Sequence, residues 1–164
     1  MCNIVTCYVG LGSGVGFSYI GNRVICTDIN KDKINKLNNG IIPIYEPGLE
    51  ELVKKNFNQK RLQFSSDIDE SIKKSDIIFI CVGTPTNKKT NAADLKFVMN
   101  VSKVIKKNLN KYKIIVTKST VPVTTGDKIE KILNTKNNKK KFDVISNPEF
   151  LREGEAIRDF IYPD

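Results

Sequence analysis

Near the start of the chain, the two residues best placed to do chemistry are a glycine and an acid, Gly10 and Asp28. Gly10 opens a stretch of helical length after a short apolar segment, and Asp28 follows the β-branched run 23–27. Dinucleotides bind to a strand–turn–helix–strand unit of this kind, because the turn accepts the pyrophosphate and the acid accepts hydrogen bonds from the adenosine ribose. We therefore predict a dinucleotide-binding βαβ unit here. An ordinary βαβ unit with a glycine-rich turn is the alternative.

The glycine turn is incomplete. The dinucleotide fingerprint G-x-G-x-x-G would require glycines at Val5 and Cys7 as well as at Gly10. Its first glycine permits the tight turn and its second lets the backbone approach the pyrophosphate. Valine disfavours a positive φ, and we expect both side chains to crowd the pyrophosphate. The three glycines within 12–16 do not restore the spacing, and in a helix each costs roughly 0.5–1 kcal/mol relative to alanine.

Polar turns directly follow three apolar runs that we interpret as strands. These turns are 83–86, 118–122 and 147–154. Segments with helical periodicity, of which Leu95–Asn108 is the longest, separate the strands along the chain. This alternation predicts a doubly wound, Rossmann-type α/β fold with a mainly parallel sheet and helices on both faces. The carboxyl ends of its strands, where the polar turns lie, would bind the ligand.

Capping residues and strand composition give approximate element boundaries. Asn30, Ser66 and Asp94 each precede a helical segment and are predicted to be N-caps. The first strand is predicted at Ile4-Val5, ahead of the glycine turn.

Composition limits the class of protein. The chain has 164 residues, of which 40 % are hydrophobic, so it can form one domain around one core. Its 4 cysteines lie in or beside predicted strands without metal-ligand spacing. They indicate free thiols in a reducing cytoplasm and no metal site. The absence of histidine excludes histidine-based acid–base chemistry, and we expect no membrane partner because no apolar run is long enough to span a bilayer.

The net charge of +9 raises the possibility of nucleic-acid binding. Lysine supplies nearly all of this charge and is spread over predicted helix faces and the run 135–141. Lysine is less suited than arginine to bidentate recognition, and no RNA-binding motif accompanies it. We therefore expect no nucleic-acid partner, although a basic surface is compatible with an anionic nucleotide substrate.

Five motifs resemble the UDP-glucose/GDP-mannose 6-dehydrogenase family in order and spacing, over essentially the whole chain. They are Tyr8–Leu11, Pro43–Leu49, Val82–Pro85, Lys118–Pro122 and Asn147–Gly154. The ending 158–164 looks most like the UDP-glucose branch. The resemblance implies a two-step, NAD-dependent oxidation of a sugar C6 alcohol that gives a UDP-uronic acid for polysaccharide biosynthesis. It also implies that full-length members are homo-oligomers.

The resemblance assigns roles to individual residues. Those implied to bind NAD are Asp28 and Lys33, at the adenosine ribose, together with Val9, Gly10, Val82, Gly83, Thr84, Pro85, Thr86, Ser119, Thr120, Val121 and Glu153. Those implied to bind the UDP-sugar, with UDP-glucose as the expected substrate, are Glu149, Phe150, Leu151, Arg152 and Glu153. The implied catalytic residues are Thr120, which would position a water, Glu149, which would assist hydrolysis of a thioester intermediate, and Glu153.

The catalytic assignments have simpler alternatives. Thr120 could be a strand-end hydroxyl that satisfies the local backbone, and Glu149 and Glu153 could be solvated acids. Tyr45 and Glu46 are interpreted as loop packing rather than as ligands.

In this family, the cysteine nucleophile and its lysine partner lie in a later substrate domain, and none of the 4 cysteines lies in that motif. We therefore expect residues 1–164 to form an NAD-binding Rossmann-type domain that is truncated at both ends, lacks the substrate domain and is inactive alone. A non-catalytic, degenerate nucleotide-binding or interaction module of the same fold is the alternative, which Val5 and Cys7 favour. The sequence leaves open whether the sugar is UDP-glucose, a UDP-N-acetyl sugar or GDP-mannose.

Overall fold

The computed structural model describes residues 1–88, 91–135 and 141–162. In that part of the chain one parallel sheet contains the strands β1 (Cys2–Ile4), β2 (Val24–Thr27), β3 (Leu62–Ser65), β4 (Ile77–Ile80), β5 (Lys113–Thr117) and β6 (Phe142–Ser146). Their order across the sheet is β3-β2-β1-β4-β5-β6. The predicted doubly wound fold is confirmed. The order reverses between β1 and β4, the position at which such sheets open a ligand-binding crevice.

Helices cover both faces of the sheet. They are α1 (Tyr8–Tyr19), α2 (Lys31–Asn38), α3 (Leu49–Asn58), α4 (Ile68–Lys74), α5 (Lys96–Lys107), α6 (Thr125–Leu133) and α7 (Ala156–Ile161). Apolar side chains of α4, α5 and α6 pack on one face, and those of α1, α2, α3 and α7 pack on the other. None of the described helices is long and apolar enough to cross a membrane.

Two of the three predicted N-caps are wrong. Asn30 caps α2 as predicted, its Oδ1 accepting from the Lys33 amide at 3.0 Å. At α4 the cap is Asp67 rather than Ser66, because the Asp67 carboxylate accepts from the Glu70 amide at 2.9 Å. At α5 Asp94 lies one residue before the cap position, although its carboxylate accepts from the Lys96 amide at 2.9 Å.

The glycine-rich sequence of α1 is explained by close packing. A Cβ atom at Gly14 would lie 2.4 Å from the Cys26 Sγ on β2, and one at Gly16 would lie 2.3 Å from the Phe160 ring on α7. The Phe160 ring also meets Phe17 edge-on, with centroids 5.0 Å apart. The close packing of α1 against β2 and α7 therefore offsets the low helix propensity of glycine. Larger residues at these positions would prevent that packing.

Candidate dinucleotide site

The turn after β1 contains a strained valine. β1 ends at Ile4 rather than continuing to Val5 as predicted, and Val5 has a φ of +80°. The first fingerprint glycine would supply this left-handed conformation without strain, whereas a β-branched residue there costs about 1–3 kcal/mol. The Val5 amide donates to the Thr27 carbonyl at 2.8 Å, which ties the turn to β2. The turn therefore has the backbone form of the fingerprint despite the missing glycine.

Gly10 retains the close approach expected of the third fingerprint glycine. A Cβ atom there would lie 1.9 Å from the Val5 carbonyl oxygen and 3.2 Å from the Cys81 Cβ. The helix itself begins at Tyr8, so the prediction that Gly10 opens it is wrong by one half-turn. Gly10 is required because the start of α1 presses against the turn and the end of β4.

Cys7 places a thiol at the second glycine position. It is the N-cap residue of α1, where its Sγ accepts from the Gly10 amide at 3.5 Å and its thiol donates to the Cys81 carbonyl at 2.9 Å. First-turn amides are the groups that a helix N-terminus offers to a phosphate. Cys7 therefore occupies one donor and part of the volume that a pyrophosphate would use.

Asp28 lies at the tip of β2 and is already well connected. Its Oδ2 accepts from the Thr6 hydroxyl at 2.8 Å and the Thr6 amide at 3.2 Å, and its Oδ1 accepts from the Asn30 amide at 3.0 Å. The Lys33 Nζ lies 3.4 Å from Oδ2, so the structure brings together the two predicted ribose ligands. Burial acts to raise the pKa of Asp28, but the hydrogen bonds from Asn30 and Thr6 and the charge of Lys33 outweigh it and lower that pKa. Asp28 is therefore ionised at neutral pH, and its Oδ1 can accept one further hydrogen bond.

Beside this turn lies a cavity of about 180 Å³. Seven of the predicted site residues line it: Val9, Val82, Gly83, Thr84, Ser119, Thr120 and Glu149, together with Cys7, Cys81 and Lys118. The remaining predicted residues do not line this cavity; they are Gly10, Asp28, Lys33, Pro85, Thr86, Val121 and the segment 150–153. Val121 lines a separate cleft of about 400 Å³ at the start of α6. The cavity joins the loops that follow β4, β5 and β6.

Two hydroxyl groups connect the β4 and β5 loops. The Ser119 hydroxyl donates to the Val82 carbonyl at 2.6 Å, and the Thr84 hydroxyl donates to the Thr120 carbonyl at 2.9 Å. Thr120 itself is exposed. In the alternative considered for Thr120, its hydroxyl would form a hydrogen bond with a nearby backbone group. The nearby carbonyl groups of Val82 and Thr120 accept hydrogen bonds from Ser119 and Thr84 instead.

Glu149 and Lys118 form the charged part of the cavity wall. The Glu149 Oε2 is buried without a hydrogen-bond partner among the described residues, and burial raises the pKa of Glu149 although the Lys118 charge opposes this. Lys118 is only 8 % exposed, its Nζ donates to the Asn147 Oδ1 at 3.1 Å, and burial lowers its pKa. A carboxyl group with a raised pKa and a buried unpaired oxygen is suited to accept a proton from a bound molecule.

The predicted substrate segment 150–153 lies next to this wall. Phe150 is 83 % exposed, whereas the Arg152 guanidinium binds the Asp159 carboxylate of α7 through two hydrogen bonds of 3.0 and 2.6 Å. Glu46 is buried, in agreement with its interpretation as loop packing, but Tyr45 is 91 % exposed, so that interpretation is wrong for Tyr45.

Comparison with known proteins identifies the family. Residues 1–164 match the UDP-glucose/GDP-mannose dehydrogenase family, NAD binding domain. The chain belongs to this family. It is 55 % identical over 157 residues to the UDP-glucose 6-dehydrogenase TuaD of Bacillus subtilis, covering 95 % of this chain and 34 % of the relative. It is 48 % identical to a UDP-glucose 6-dehydrogenase of Rhizobium meliloti, covering 96 % and 36 %. The chain therefore spans about a third of the length of these relatives.

Solved structures of family members show the same fold. A UDP-glucose dehydrogenase from Pyrobaculum islandicum matches with a TM-score of 0.92 and 36 % identity, over 99 % of this chain and 38 % of that one. A GDP-mannose dehydrogenase from Pseudomonas aeruginosa matches with a TM-score of 0.89 and 33 % identity, over the same shares.

The cofactor of this family domain is NAD, and the residues of the site fit it in most respects. The turn has the required positive φ at Val5, and Asp28 is ionised at the tip of β2. A Cβ atom placed on Gly83 would meet no other atom within 4 Å, so there is open space beside this residue. Two features of the turn oppose pyrophosphate binding, which are the thiol of Cys7 and the strained conformation of Val5.

Two residues of this site, Thr6 and Lys118, are not among the site residues predicted from the sequence. Thr6 fixes the Asp28 carboxylate, and Lys118 places a buried positive charge beside Glu149. Thr6 carries a weak signal, since it is the polar residue of the phosphate turn. Lys118 was noted only as part of a motif, although a lysine directly after a buried strand is unusual enough to have suggested a role.

Removing the Asp28 charge should weaken the dependence of the free energy of unfolding on pH in the acid range. An aspartate in the unfolded chain has a pKa of about 3.9, and the fold lowers it, so the carboxylate stabilises the fold fully above that value. The stabilisation is lost as the pH falls through the lower, folded-state pKa. We expect Asp28→Asn to cost about 1–3 kcal/mol at pH 7, because an amide nitrogen cannot accept the Thr6 or Asn30 hydrogen bonds. The urea midpoints of Asp28→Asn and wild type, measured from about pH 7 to pH 2, should differ at neutral pH and converge at the acid end. Asp32→Asn on the exposed face of α2 is the control, and parallel curves for Asp28→Asn and wild type would contradict the prediction.

Proposed function

We propose that this chain is the NAD-binding part of a UDP-sugar 6-dehydrogenase, with UDP-glucose as the substrate, which oxidises the sugar C6 alcohol to a carboxylate. The cavity that unites Thr120 and Glu149 beside the dinucleotide turn is the observation that carries the proposal. The identities to proteins named UDP-glucose 6-dehydrogenase support this choice of substrate. The same proposal places the enzyme in polysaccharide biosynthesis in the cytoplasm, as a homo-oligomer.

In this proposal, different groups of residues bind different parts of NAD. Asp28 and Lys33 would hold the adenosine ribose, and Val9 and Gly10 would lie against the pyrophosphate. The loops 82–86 and 119–121 would extend along the rest of the cofactor, with Glu153 at the nicotinamide side. NAD, when bound, supplies the oxidising equivalent. The segment 149–153 would bind the sugar nucleotide at the edge of the same cavity.

Glu149 is the base in this proposal. Its raised pKa and the unpaired Oε2 allow it to take a proton from a water held by the Thr120 hydroxyl during hydrolysis of the thioester. The Lys118 charge opposes the rise of the Glu149 pKa and so favours the ionised carboxylate, which is the form that acts as a base. The role requires both residues to line one cavity, as they do.

The cysteines support the view that the nucleophile lies elsewhere in the longer enzyme. Burial raises the pKa of Cys2 to about 12, and it also raises the pKa of Cys26 and Cys81. Those three thiols are therefore protonated at neutral pH and shielded from a sugar aldehyde. Cys7 is engaged with Cys81 and Gly10 at the start of α1.

This polypeptide is accordingly expected to form no NADH from NAD and UDP-glucose. Absorbance at the wavelength of the reduced cofactor measures turnover, and the Bacillus subtilis relative serves as the positive control. Sustained NADH formation by the pure 164-residue chain would show that one of its own cysteines is a sufficient nucleophile, and would overturn the proposed division of the enzyme.

Cofactor choice tests the site directly. The Asp28 carboxylate should repel the 2′-phosphate of NADP, and the flexible ammonium of Lys33 is a weaker phosphate ligand than an arginine would be. We expect calorimetry to show that wild type binds NAD more tightly than NADP, and that Asp28→Ala loses more affinity for NAD than for NADP. Asp32→Ala should change neither affinity. A wild-type preference for NADP would mean that Asp28 is not the ribose ligand.

A non-catalytic nucleotide-binding or interaction module remains the second candidate. The strained Val5 and the thiol of Cys7 favour it, because both weaken a phosphate turn. Absence of any NAD binding in the calorimetric titration would favour this candidate over the dehydrogenase.

A further inference from the structure

Glu46 is a buried carboxylate that the proposed reaction does not use. It is 6 % exposed and lies in the loop between α2 and α3, far in sequence from its partners. Its Oε2 accepts from the Tyr8 hydroxyl at 2.6 Å and from the Gly154 amide at 2.9 Å, and its Oε1 accepts from the Ala156 amide at 2.7 Å. Three segments of the chain thus meet at one side chain.

Two of those segments belong to the proposed binding sites. Tyr8 is the first residue of α1, directly before the Val9-Gly10 pair at the pyrophosphate. Gly154 and Ala156 follow the substrate segment 150–153 and lead into α7. The Tyr8 hydroxyl also lies 3.3 Å from the Arg152 carbonyl, so α1 touches the substrate segment itself.

The contacts form a network around the buried Glu46 carboxylate, in which both oxygen atoms accept hydrogen bonds. Burial raises the pKa of Tyr8, and the neighbouring Glu46 carboxylate raises it further, so the phenol keeps its proton and donates. Charge-assisted hydrogen bonds of this length are stronger than neutral ones. Within the substrate segment, the Arg152 guanidinium donates two hydrogen bonds to the Asp159 carboxylate of α7.

We propose that Glu46 is a positioning residue, which holds the substrate segment 150–153 in place against the dinucleotide turn by binding the residues directly after it, and which couples the two sites through Tyr8. The coupling rests on the proposed function, since it requires NAD to bind beside Tyr8. The positioning does not, because it concerns contacts within the chain. Binding at the turn shifts Tyr8, and the shift reaches Gly154 and Ala156 through the shared carboxylate.

Glu46→Gln is the sharpest variant because it keeps the shape of the side chain. An amide has one accepting oxygen and one donating nitrogen. Whichever way it turns, it leaves either the Gly154 amide or the Ala156 amide facing a donor. Tyr8→Phe removes only the hydroxyl link to α1. Glu51→Gln, on the exposed face of α3, is the matched control.

Amide hydrogen exchange, measured by NMR without NAD, tests the positioning. We expect Glu46→Gln to speed exchange at Gly154 or Ala156 by at least about tenfold, while amides of β4 keep their protection. Tyr8→Phe and Glu51→Gln should leave both amides within about threefold of wild type. Unchanged exchange at both amides in Glu46→Gln would overturn the proposal.

An NAD titration of the same proteins tests the coupling. In wild type and Glu51→Gln, NAD should shift the Gly154 and Ala156 signals, and in Tyr8→Phe that shift should fall to less than about half while the NAD affinity changes by less than about threefold. An undiminished shift in Tyr8→Phe would overturn the coupling. A wild type that binds no NAD would instead contradict the proposed function, and the exchange measurement would still decide the role of Glu46.

Discussion

Gly10→Ala is expected to destabilise the domain by about 3 kcal/mol or more and to abolish NAD binding. The added methyl group would lie 1.9 Å from the Val5 carbonyl oxygen. This neighbour is backbone, so it cannot rotate away, and α1 would have to move off the turn. Urea denaturation followed by circular dichroism measures the first effect, and calorimetry with NAD measures the second.

Gly126→Ala provides the control for this substitution. Gly126 lies in the first turn of α6, and a Cβ atom there would meet nothing within 4 Å. Alanine should therefore stabilise the domain by about 0.5–1 kcal/mol through helix propensity alone. A Gly10→Ala protein as stable as wild type would show that the start of α1 is not packed against the turn.

The second large effect is expected from restoring the fingerprint. Val5→Gly should relieve about 1–3 kcal/mol of strain at the positive φ, partly offset by the greater freedom of glycine in the unfolded chain. Cys7→Gly should free the Gly10 amide for the pyrophosphate. Together, the two changes should tighten NAD binding by at least about tenfold, or about 1.4 kcal/mol.

The single variants separate the two causes. We expect Val5→Gly to raise the urea midpoint with a small change in NAD affinity. Cys7→Gly should tighten NAD binding because it frees the Gly10 amide, and it should lower the urea midpoint slightly because it removes an N-cap. Equal NAD affinity in wild type and the double variant would mean that the cofactor uses a different register of the turn.

The fold was predictable because its signals are local and repeated. Apolar runs alternate with helical segments, and each run from β4 to β6 is followed by a polar turn, which is sufficient to specify a parallel doubly wound sheet. The turn geometry was predictable in part. The spacing located the fingerprint, but only the structure shows that Val5 adopts the glycine conformation rather than shifting the register.

The parts that were missed depend on contacts distant in sequence. Lys113 is a fully buried lysine whose ammonium donates to the carbonyls of Lys73 and Ser75, and nothing in its neighbourhood on β5 indicates a polar interior partner. α7 has six residues and no side-chain cap, which leaves too short a pattern for periodicity to detect. Gly16 looked like a defect in α1 because its partner, Phe160, is more than 140 residues away in the sequence.

That last contact has a consequence for the order in which the protein is made. α1 is the helix with the poorest intrinsic propensity, and the ring that fills its glycine groove at Gly16 belongs to residue 160. A ribosome at about 5–20 residues per second therefore holds α1 without its cover for several seconds while the rest of the domain emerges. During that interval the groove is an apolar surface open to chaperones or to other nascent chains. The packing of α7 over α1 therefore ends the interval in which this groove is uncovered.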